Sequence, residues 1–284
     1  MSESSKTIRV ASRKSPLARR QTELAIDALS AFNPSWTFEV CLMSTTGDER
    51  LEWSLETSGG KGLFTSELER AIAAKEADLA VHSAKDLPTE MAEGICLAGY
   101  LPRASAGDVL IRRVNVQQPT FIATASPRRR AQIKPVYPNA EWKEIRGNVG
   151  TRLGKIADGY ADATIMAAAG LDRLGIEEWP GLVFEPLGIE QSVPAAGQGA
   201  IGVQCRCEDI QQWADLLCSE TRYAVTIERA VLAALGGGCH SASAAHYVDG
   251  ILYVFHEGKG FHRFPFDAQE SDIESTVTHL LANL

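Results

Sequence analysis

Hydrophobic and polar positions alternate with two different periods along the first hundred residues. Short apolar and β-branched runs have the period of strands, and between them apolar residues recur at helical spacing, as at Leu17, Leu24 and Leu29. The order strand, helix, strand, helix, strand is typical of an α/β lobe with a mostly parallel sheet. The predicted elements are a strand at 7–11, a helix opened by Ser15-Pro16 that ends near Asn33-Pro34, a strand at 37–43, a helix at 66–74 opened by the capping-box pattern Ser66-Glu67-Leu68-Glu69, and a strand at 79–83.

The pattern breaks between residues 101 and 108, and a second alternating series follows. Residues 193–199 predict a second crossing between lobes, after which the apolar run 200–205 returns to the first sheet. We therefore expect an α/β protein in which residues 1–103 with 197–218 form one lobe, residues 107–192 a second, and residues 221–284 a small α/β third domain. The remaining predicted elements are strands at 109–111, 121–123, 142–145 and 163–167, and a helix at 221–235.

The composition of the chain limits the classes of function that it can have. The chain has 284 residues, 45% of them hydrophobic, but it has no apolar run long enough to span a bilayer and no signal peptide at its start, so we expect a cytoplasmic protein. Six cysteines without a compact spacing favour a reducing compartment over a disulfide framework, and neither Cys205-Arg206-Cys207 nor the six histidines have metal-ligand spacing. A net charge of −8 argues against a nucleic-acid binder, so any polyanion must be bound by a local cluster of cations.

Two stretches repeat one local pattern. In each, a strand is followed by a hydroxyl residue and then by Ser-Pro, which opens a basic helix: Ser12 precedes Ser15-Pro16, and Thr124 precedes Ser126-Pro127. Proline at the first helical position leaves the other free N–H groups of that turn for an anion, and the serine hydroxyl adds a donor. Ordinary capping of the two helices explains the same pattern without a ligand.

Arginines gather in the second lobe. Arg128-Arg129-Arg130 occupy the first turns of a predicted helix, and Arg146 and Arg152 flank the stretch 147–151, with Arg173 further along. Cations at a helix N-terminus oppose the macrodipole, so the arrangement indicates an anionic ligand that compensates for this cost. The alternative is a solvated basic face.

Two stretches of the first lobe carry further candidates. Lys61 lies in a polar, glycine-rich segment, 45–62, which is either a basic lid or a solvated loop. Lys85 and Asp86 directly follow a predicted strand, at the end where ligands of an α/β sheet bind, although an aspartate before Leu87-Pro88 is also typical of a simple turn.

The stretch Leu235-Gly236-Gly237-Gly238-Cys239-His240 ends the helical pattern with three glycines and a thiol. Glycines end helices and leave room beside a neighbouring group, so the pattern predicts a displayed loop cysteine. The alternative is a helix C-cap followed by a cysteine that only packs.

Several motifs together resemble porphobilinogen deaminase, also called hydroxymethylbilane synthase. The resemblance covers nearly the whole chain, and it implies two lobes similar to periplasmic binding proteins plus a small third domain. The motifs that carry it are Lys61-Gly62-Leu63-Phe64, Val81-His82-Ser83-Ala84-Lys85-Asp86, Ile145-Arg146-Gly147-Asn148-Val149-Gly150-Thr151-Arg152-Leu153, Pro194-Ala195-Ala196-Gly197-Gln198-Gly199-Ala200 and Gly237-Gly238-Cys239.

The resemblance also implies a chemistry. A dipyrromethane cofactor, made of two porphobilinogen units and held by a thioether to Cys239, would prime the addition of four further porphobilinogens with loss of ammonia, before hydrolysis releases 1-hydroxymethylbilane. Asp86 takes the family's catalytic position, Lys61 belongs to a mobile loop and Gln198 to the hinge side. The family's remaining anion-binding and motif positions fall on Arg13, Ser15, Ser83, Lys85, Thr124, Ser126, Arg128, Arg129, Arg146, Arg152 and Arg173.

A second function is compatible with the same fold. A bilobed protein that only captures a polycarboxylate would need the cations but not a displayed thiol, so Cys239 distinguishes the two hypotheses. For the enzyme we expect a monomer that binds porphobilinogen and that has neither a nucleic-acid nor a membrane partner.

Overall fold

The computed structural model of the protein describes residues 6–45, 65–236 and 242–282. These residues cluster into two compact units. The first unit contains the described residues up to Arg103 and then residues 200–222, and the second contains residues 104–199 and the described residues from Tyr223 onward. The division of the chain into three domains stays a prediction.

The first unit is built on a mixed sheet. Its strands are β1 Lys6–Arg13, β2 Trp36–Met43, β3 Leu79–Ser83, β4 Ile95–Tyr100 and β10 Ile201–Arg206. Their spatial order is β2-β1-β3-β10-β4. Strand β1 pairs in parallel with β2 and β3, whereas β10 is antiparallel to β3 and β4. Within the described residues, all strands of this sheet except β10 therefore run in one direction.

The second unit repeats this topology. Its corresponding strands are β5 Asp108–Arg113, β6 Phe121–Ala123, β7 Glu141–Lys143, β8 Ala163–Ala167 and β9 Leu182–Pro186. The order β7-β6-β8-β5-β9 again contains one antiparallel strand, β5, beside parallel pairs. The predicted fold of two α/β lobes with mostly parallel sheets is confirmed.

The helices cover the sheets. Within the described residues, none is long and apolar enough to cross a membrane. They are α1 Pro16–Phe32, α2 Ser66–Ala73, α3 Pro127–Ile133, α4 Val149–Ala157, α5 Ala168–Arg173, α6 Ile210–Ala214, α7 Ser219–Ala234 and α8 Ile273–Leu281.

Both faces of the first sheet are buried. Ala25 and Leu29 of α1 pack with Val81 of β3 on one face, and Leu68 and Ile72 of α2 pack with Ala80 on the other. Burial on both faces explains why β3 is apolar at consecutive positions rather than at alternate ones. Core packing leaves the strand ends as the places where polar side chains gather.

The end of the chain forms an antiparallel sheet with two helices against it. Its strands are β11 Ser243–Val248, β12 Ile251–His256 and β13 Gly260–Pro265, and α7 and α8 contribute Val231 and Val277 to the shared core. Helix α7 ends as predicted, with Gly236 in the left-handed region at a φ of 68°. Cys239 and its neighbours lie outside the described residues.

Two local predictions are wrong, and one helix was not predicted. Thr65, not Ser66, is the N-cap of α2, so the proposed capping serine is already helical. The strand predicted at 142–145 ends at Lys143, and Val149 begins a helix where two glycines obscured the helical pattern. Asn148 caps that helix by accepting a hydrogen bond from the Thr151 backbone N–H.

The cysteines also differ from expectation. Cys96 at β4 and Cys207 just after β10 form a disulfide, although the spacing of the cysteines favoured a reducing compartment. The two positions are 111 residues apart in sequence, and only the adjacency of β4 and β10 in the sheet brings them together. Cys41, Cys205 and Cys218 are free thiols among the described residues.

Candidate functional site

Several predicted site residues of the first unit lie at one edge of its sheet. The neighbouring parallel strands β1 and β3 end at Arg13 and Ser83, and a 3₁₀ turn, Ala84–Asp86, follows β3 directly. Parallel strands that end together place the residues after them at the same edge. The structure thus gathers Arg13, Ser15, Ser83, Lys85 and Asp86.

The Asp86 carboxylate has no protein partner in the described part of the chain. The side chain is half-buried, and it makes neither a hydrogen bond nor an ion pair there. An aspartate that shapes a turn does so by accepting a backbone hydrogen bond. The 3₁₀ turn is instead closed by the backbone, through the bond of 3.2 Å from the Leu87 N–H to the Ala84 carbonyl. The carboxylate is therefore available to a ligand.

Helix α1 is fixed to this edge by polar side chains. The Ser15 hydroxyl caps α1 by accepting the Ala18 backbone N–H at 3.3 Å, and Gln21 Nε2 donates to Ser83 Oγ at 2.8 Å. The first turn of α1 contains no acidic residue. Capping is thus a real role of Ser15, and it leaves the remaining free N–H groups of that turn for an anion.

His82 is a buried polar residue beneath this edge. Only 4% of its surface is exposed, and burial, together with the charge of Arg13, lowers the pKa of its imidazole to about 4, against the opposing effect of Gln204. Its Nε2 has no hydrogen bond among the described residues. On the same sheet, Gln204 Nε2 donates to the buried carboxylate of Glu69 at 2.9 Å. The imidazole is neutral at physiological pH.

The second unit gathers its predicted site residues in the same manner. Thr124 and Ser126 follow the carboxyl end of β6, and α5, which ends at Arg173, follows that of β8. The Thr124 hydroxyl accepts the Ser126 N–H at 3.1 Å, and the Ser126 hydroxyl caps α3 by accepting the Arg129 N–H at 3.4 Å. The repeated Ser-Pro pattern therefore has the same structural result in both units: a proline-started helix after a parallel strand.

Arg129 is buried, and its charge is already paired. Its Nε and Nη2 both donate to Asp108 Oδ1, at 3.2 and 2.7 Å, and its Nη1 donates to the Ile165 carbonyl at 2.9 Å. Burial alone would raise the pKa of the Asp108 carboxyl, but Arg128 and Arg129 hold it well below its usual range. Arg129 and Asp108 thus form a buried ion pair.

Arg128 is as buried as Arg129 but uses only one end of its guanidinium. Its Nη1 contacts Asp108 Oδ2 at 2.9 Å and donates to the Val193 carbonyl at 2.6 Å. Its Nε and Nη2 have no hydrogen bond within the described residues. These two groups form the edge with which arginine grips a carboxylate through two parallel hydrogen bonds.

For Arg128 and Arg129, the alternative of a solvated basic face is wrong. Arg128 and Arg129 are 6% and 7% exposed, and Asp108 supplies the anion that the helix-dipole argument required. Two cations around one carboxylate leave one positive charge in excess, and burial lowers the pKa of Arg128 despite the charge of Asp108. A further anion would compensate for this charge.

The same cluster holds the second crossing segment. Gln198 Nε2 donates to Asp108 Oδ1 and to the Ala106 carbonyl, at 2.8 and 2.6 Å, and Ser192 Oγ donates to Asp108 Oδ2 at 2.8 Å. Arg173 Nη2 donates to the Gly199 carbonyl at 2.6 Å, and burial lowers the pKa of its guanidinium. Only glycine fits at position 199, because a Cβ there would lie 2.5 Å from the Ala104 carbonyl oxygen.

Arg146 and Arg152 lie at the start of α4. Both side chains are half-buried, Arg152 within the first turns of the helix and Arg146 just before its cap, and Lys155 Nζ donates to the Arg146 carbonyl at 3.2 Å. Both are more exposed than Arg128 and Arg129. Lys61 and Cys239 lie outside the described residues, so their roles stay predictions.

Sequence reasoning missed the residue at the centre of this cluster. Asp108 is the single acid at the start of an apolar strand, Asp-Val-Leu-Ile, and an acid in front of a buried strand is the signal that could have identified it. It also missed Glu228 of α7, which is fully buried and accepts hydrogen bonds from the backbone N–H groups of Gly197 and Tyr247, at 2.7 and 2.9 Å.

The comparisons with known proteins agree with the motifs. Residues 8–213 match the family model described as porphobilinogen deaminase, dipyromethane cofactor binding domain. The chain belongs to the porphobilinogen deaminase family. It is 41% identical over 249 residues to porphobilinogen deaminase from Alkaliphilus metalliredigens, which covers 85% of this chain and 78% of that protein. It is 40% identical over 250 residues to the enzyme from Coxiella burnetii, covering 86% and 80%.

The fold of this porphobilinogen deaminase family member also aligns with solved structures of periplasmic proteins. The periplasmic VFT2 domain of BvgS from Bordetella pertussis aligns with a TM-score of 0.46 and 15% identity over 74% of this chain and 85% of that chain. The periplasmic sulfonate-binding protein SsuA from Methylobacillus flagellatus aligns with a TM-score of 0.42 and 10% identity over 79% and 67%.

The described residues fit the family's dipyrromethane cofactor. Each of its pyrrole rings carries carboxylates. The Nε–Nη2 edge of Arg128, which has no partner in the described part of the chain, is a carboxylate-binding group at a position with an excess positive charge. The helix N-termini at Ser15 and Ser126 add backbone donors.

Proposed function

We propose that this chain condenses four porphobilinogens head to tail onto a covalently held dipyrromethane primer, with loss of ammonia at each addition, and releases 1-hydroxymethylbilane by hydrolysis. The observation that carries the proposal is the Asp86 carboxylate, which is half-buried at the ligand edge of the first sheet and has no protein partner among the described residues. Membership in the porphobilinogen deaminase family supplies the reaction class.

The carboxylates of the ligand are bound by the cationic groups. Porphobilinogen carries an acetate and a propionate, so every added ring brings two further anions. In the second unit we assign this role first to the open edge of Arg128 and to the more exposed Arg146 and Arg152. In the first unit the corresponding groups are Arg13, Lys85 and the N-terminus of α1 at Ser15.

Asp86 acts on the pyrrole rings. When the C–N bond of porphobilinogen breaks and ammonia leaves, the substrate becomes a cation whose charge the pyrrole nitrogen shares. A carboxylate that accepts the pyrrole N–H stabilises this cation electrostatically, and it can take part in removing the α-proton after the new C–C bond has formed. The primer supplies the pyrrole α-carbon that this bond joins to the substrate.

The remaining predicted residues have supporting roles in this proposal. Cys239 forms the thioether, and Lys61 belongs to a loop that shields the reaction. Gln198, Arg129 and Arg173 hold the second crossing segment through the contacts described above. Thr124 and Ser126 order the start of α3, and Ser83 is bound by Gln21.

Asp86 also distinguishes the enzyme from a protein that only binds a polycarboxylate. A pure binder of this kind gains nothing from a partnerless carboxylate beside its cations, because two anions repel each other there. A ligand that develops positive charge during its reaction makes the same carboxylate favourable. The position of Asp86 therefore favours the enzyme.

The intact mass of the purified protein tests the proposal. After incubation with porphobilinogen, the parent protein should be heavier than its sequence by two condensed pyrrole units, and Cys239→Ser should lose this increment completely. Cys218→Ser is the matched control, because Cys218 is a free thiol among the described residues and the increment should persist. An unmodified parent, or an adduct that maps to Cys205, Cys207 or Cys218, would show that the assignment is wrong.

A further inference from the structure

The geometry points to Asp108 as a positioning residue for the ligand carboxylate that Arg128 binds. We propose that Asp108 fixes the Nη1 end of Arg128 and the whole of Arg129, and thereby holds the Nε–Nη2 edge of Arg128 as a rigid fork for one carboxylate. The inference rests on the proposed function, because it concerns how that ligand is held.

Two neighbouring arginines contact Asp108 through different parts of their guanidinium groups. Arg129 gives its Nε–Nη2 edge to Asp108, whereas Arg128 gives Asp108 only Nη1. Both are buried to about the same degree, so solvent exposure does not explain the difference. The difference is explained by Asp108, which occupies the Nε–Nη2 edge of Arg129 and leaves the Nε–Nη2 edge of Arg128 open.

The Asp108 carboxylate is held at both oxygens and cannot rotate. Oδ1 accepts from Arg129 and from Gln198 Nε2 at 2.8 Å, and Oδ2 accepts from Ser192 Oγ at 2.8 Å while it contacts Arg128 Nη1 at 2.9 Å. Asp108 is 1% exposed, and it is the first residue of β5, directly paired with Ala167 at the end of β8. Its position is thus fixed by the sheet itself.

Substitution of Asp108 distinguishes an effect on the orientation of Arg128 from an effect of charge alone. Replacing Asp108 by asparagine removes the anion and leaves two buried cations, which on charge alone would attract a carboxylate more strongly. If Asp108 positions Arg128, the same substitution weakens the interaction, because the fork loses its anchor and the asparagine NH₂ group would face a guanidinium. The two explanations predict changes of opposite sign.

The experiment measures priming of the protein prepared without cofactor. Parent, Asp108→Asn and the control Asp162→Asn are incubated with porphobilinogen at a temperature where circular dichroism shows each to be folded, and the loaded fraction is followed by intact mass. Asp162 belongs to the same unit and, among the described residues, accepts hydrogen bonds only from Thr120 and Phe121, so it controls for a general loss of stability. We expect Asp108→Asn to load at least about tenfold more slowly and Asp162→Asn to load at the parental rate.

Loading of Asp108→Asn at the parental rate or faster overturns the proposal, as does an equal slowing in Asp162→Asn. If Asp108→Asn does not fold, Ser192→Ala replaces it, because this change removes a hydrogen bond from Oδ2 and keeps the charge. Slower loading than in Asp162→Asn then supports the proposal, and equal loading overturns it. A parent that never gains mass overturns the proposed function and this inference together, whereas a loaded parent with an equally loaded Asp108→Asn overturns the inference alone.

Discussion

Asp86 and Asp108 are the same residue type at the ligand edge of two sheets with one topology, and their surroundings are opposite. Asp86 follows the parallel strand β3 in the first unit and has no partner in the described part of the chain. Asp108 starts the antiparallel strand β5 in the second unit and is bound by two arginines, a serine and a glutamine. The pairing of the carboxylate, rather than its place in the fold, separates an acid that can act on a ligand from one that holds the protein's own cations.

The largest difference in the free energy of unfolding should appear between leucine substitutions of two arginines in the second unit. Arg129→Leu removes the guanidinium that pairs with Asp108 and should lower the free energy of unfolding by about 3 kcal/mol or more. Arg146→Leu changes a half-buried side chain and should lower it by less than about 1 kcal/mol. Urea unfolding at pH 7 measures both.

Arg146→Leu should retain the fold and impair cofactor loading, which intact mass reports. Equal unfolding free energies for the two variants would show that the Arg129–Asp108 pair contributes no more than a surface charge.

The two units should also differ in the pH range where they lose stability. The pKa of His82 is lowered from 6.5 to about 4 in the folded protein, so its contribution is complete above pH 6.5 and is lost as the pH falls towards 4. The corresponding free energy is on the order of 3 kcal/mol. Asp108, whose pKa is held below the usual range, loses its contribution only below about pH 4.

His82→Gln removes the titrating group and should flatten the pH dependence of the unfolding free energy between pH 6.5 and 4. Asp108→Asn should flatten it only at more acidic values. A parental slope between pH 6.5 and 4 in His82→Gln would mean that His82 is not a buried neutral group.

The smallest effects should come from the two capping serines. Ser15→Ala and Ser126→Ala each remove a hydroxyl that accepts one backbone N–H, and each should cost about 1 kcal/mol of stability. If the two helix N-termini bind anions in addition, cofactor loading should fall in both variants. Unchanged loading in both would reduce the repeated Ser-Pro pattern to ordinary capping.

Much of the fold could be predicted because it depends on local patterns. The strand at 79–83 and the helix after Ser15 follow from apolar spacing and a proline-marked start, and the structure confirms both. Strands β4 and β9 were not predicted, and the Cys96–Cys207 disulfide, with partners 111 residues apart, depends on sheet adjacency that no local pattern contains.

The site also contains features that a local pattern predicts and features that depend on distant residues. Asp86 was predicted from its motif and from its place after a strand, and its carboxylate has no protein partner within the described residues, as the predicted role requires. The burial of Arg128 and Arg129 could not be foreseen, because their counterion, Asp108, lies 21 residues before Arg129 in the chain. A charge run looks solvated in a sequence until the acid that pairs with it is known.

The most direct test applies one substitution to both acids. Asp86→Asn and Asp108→Asn are each prepared in the cofactor-loaded form, and single-turnover ammonia release per loaded molecule and urea unfolding are measured on the same samples. Asp86→Asn should unfold like the parent and release ammonia at least about a hundredfold more slowly. Asp108→Asn should lose about 3–5 kcal/mol of stability and release ammonia within about tenfold of the parent. Near-parental release from stable, loaded Asp86→Asn would contradict the catalytic role of Asp86.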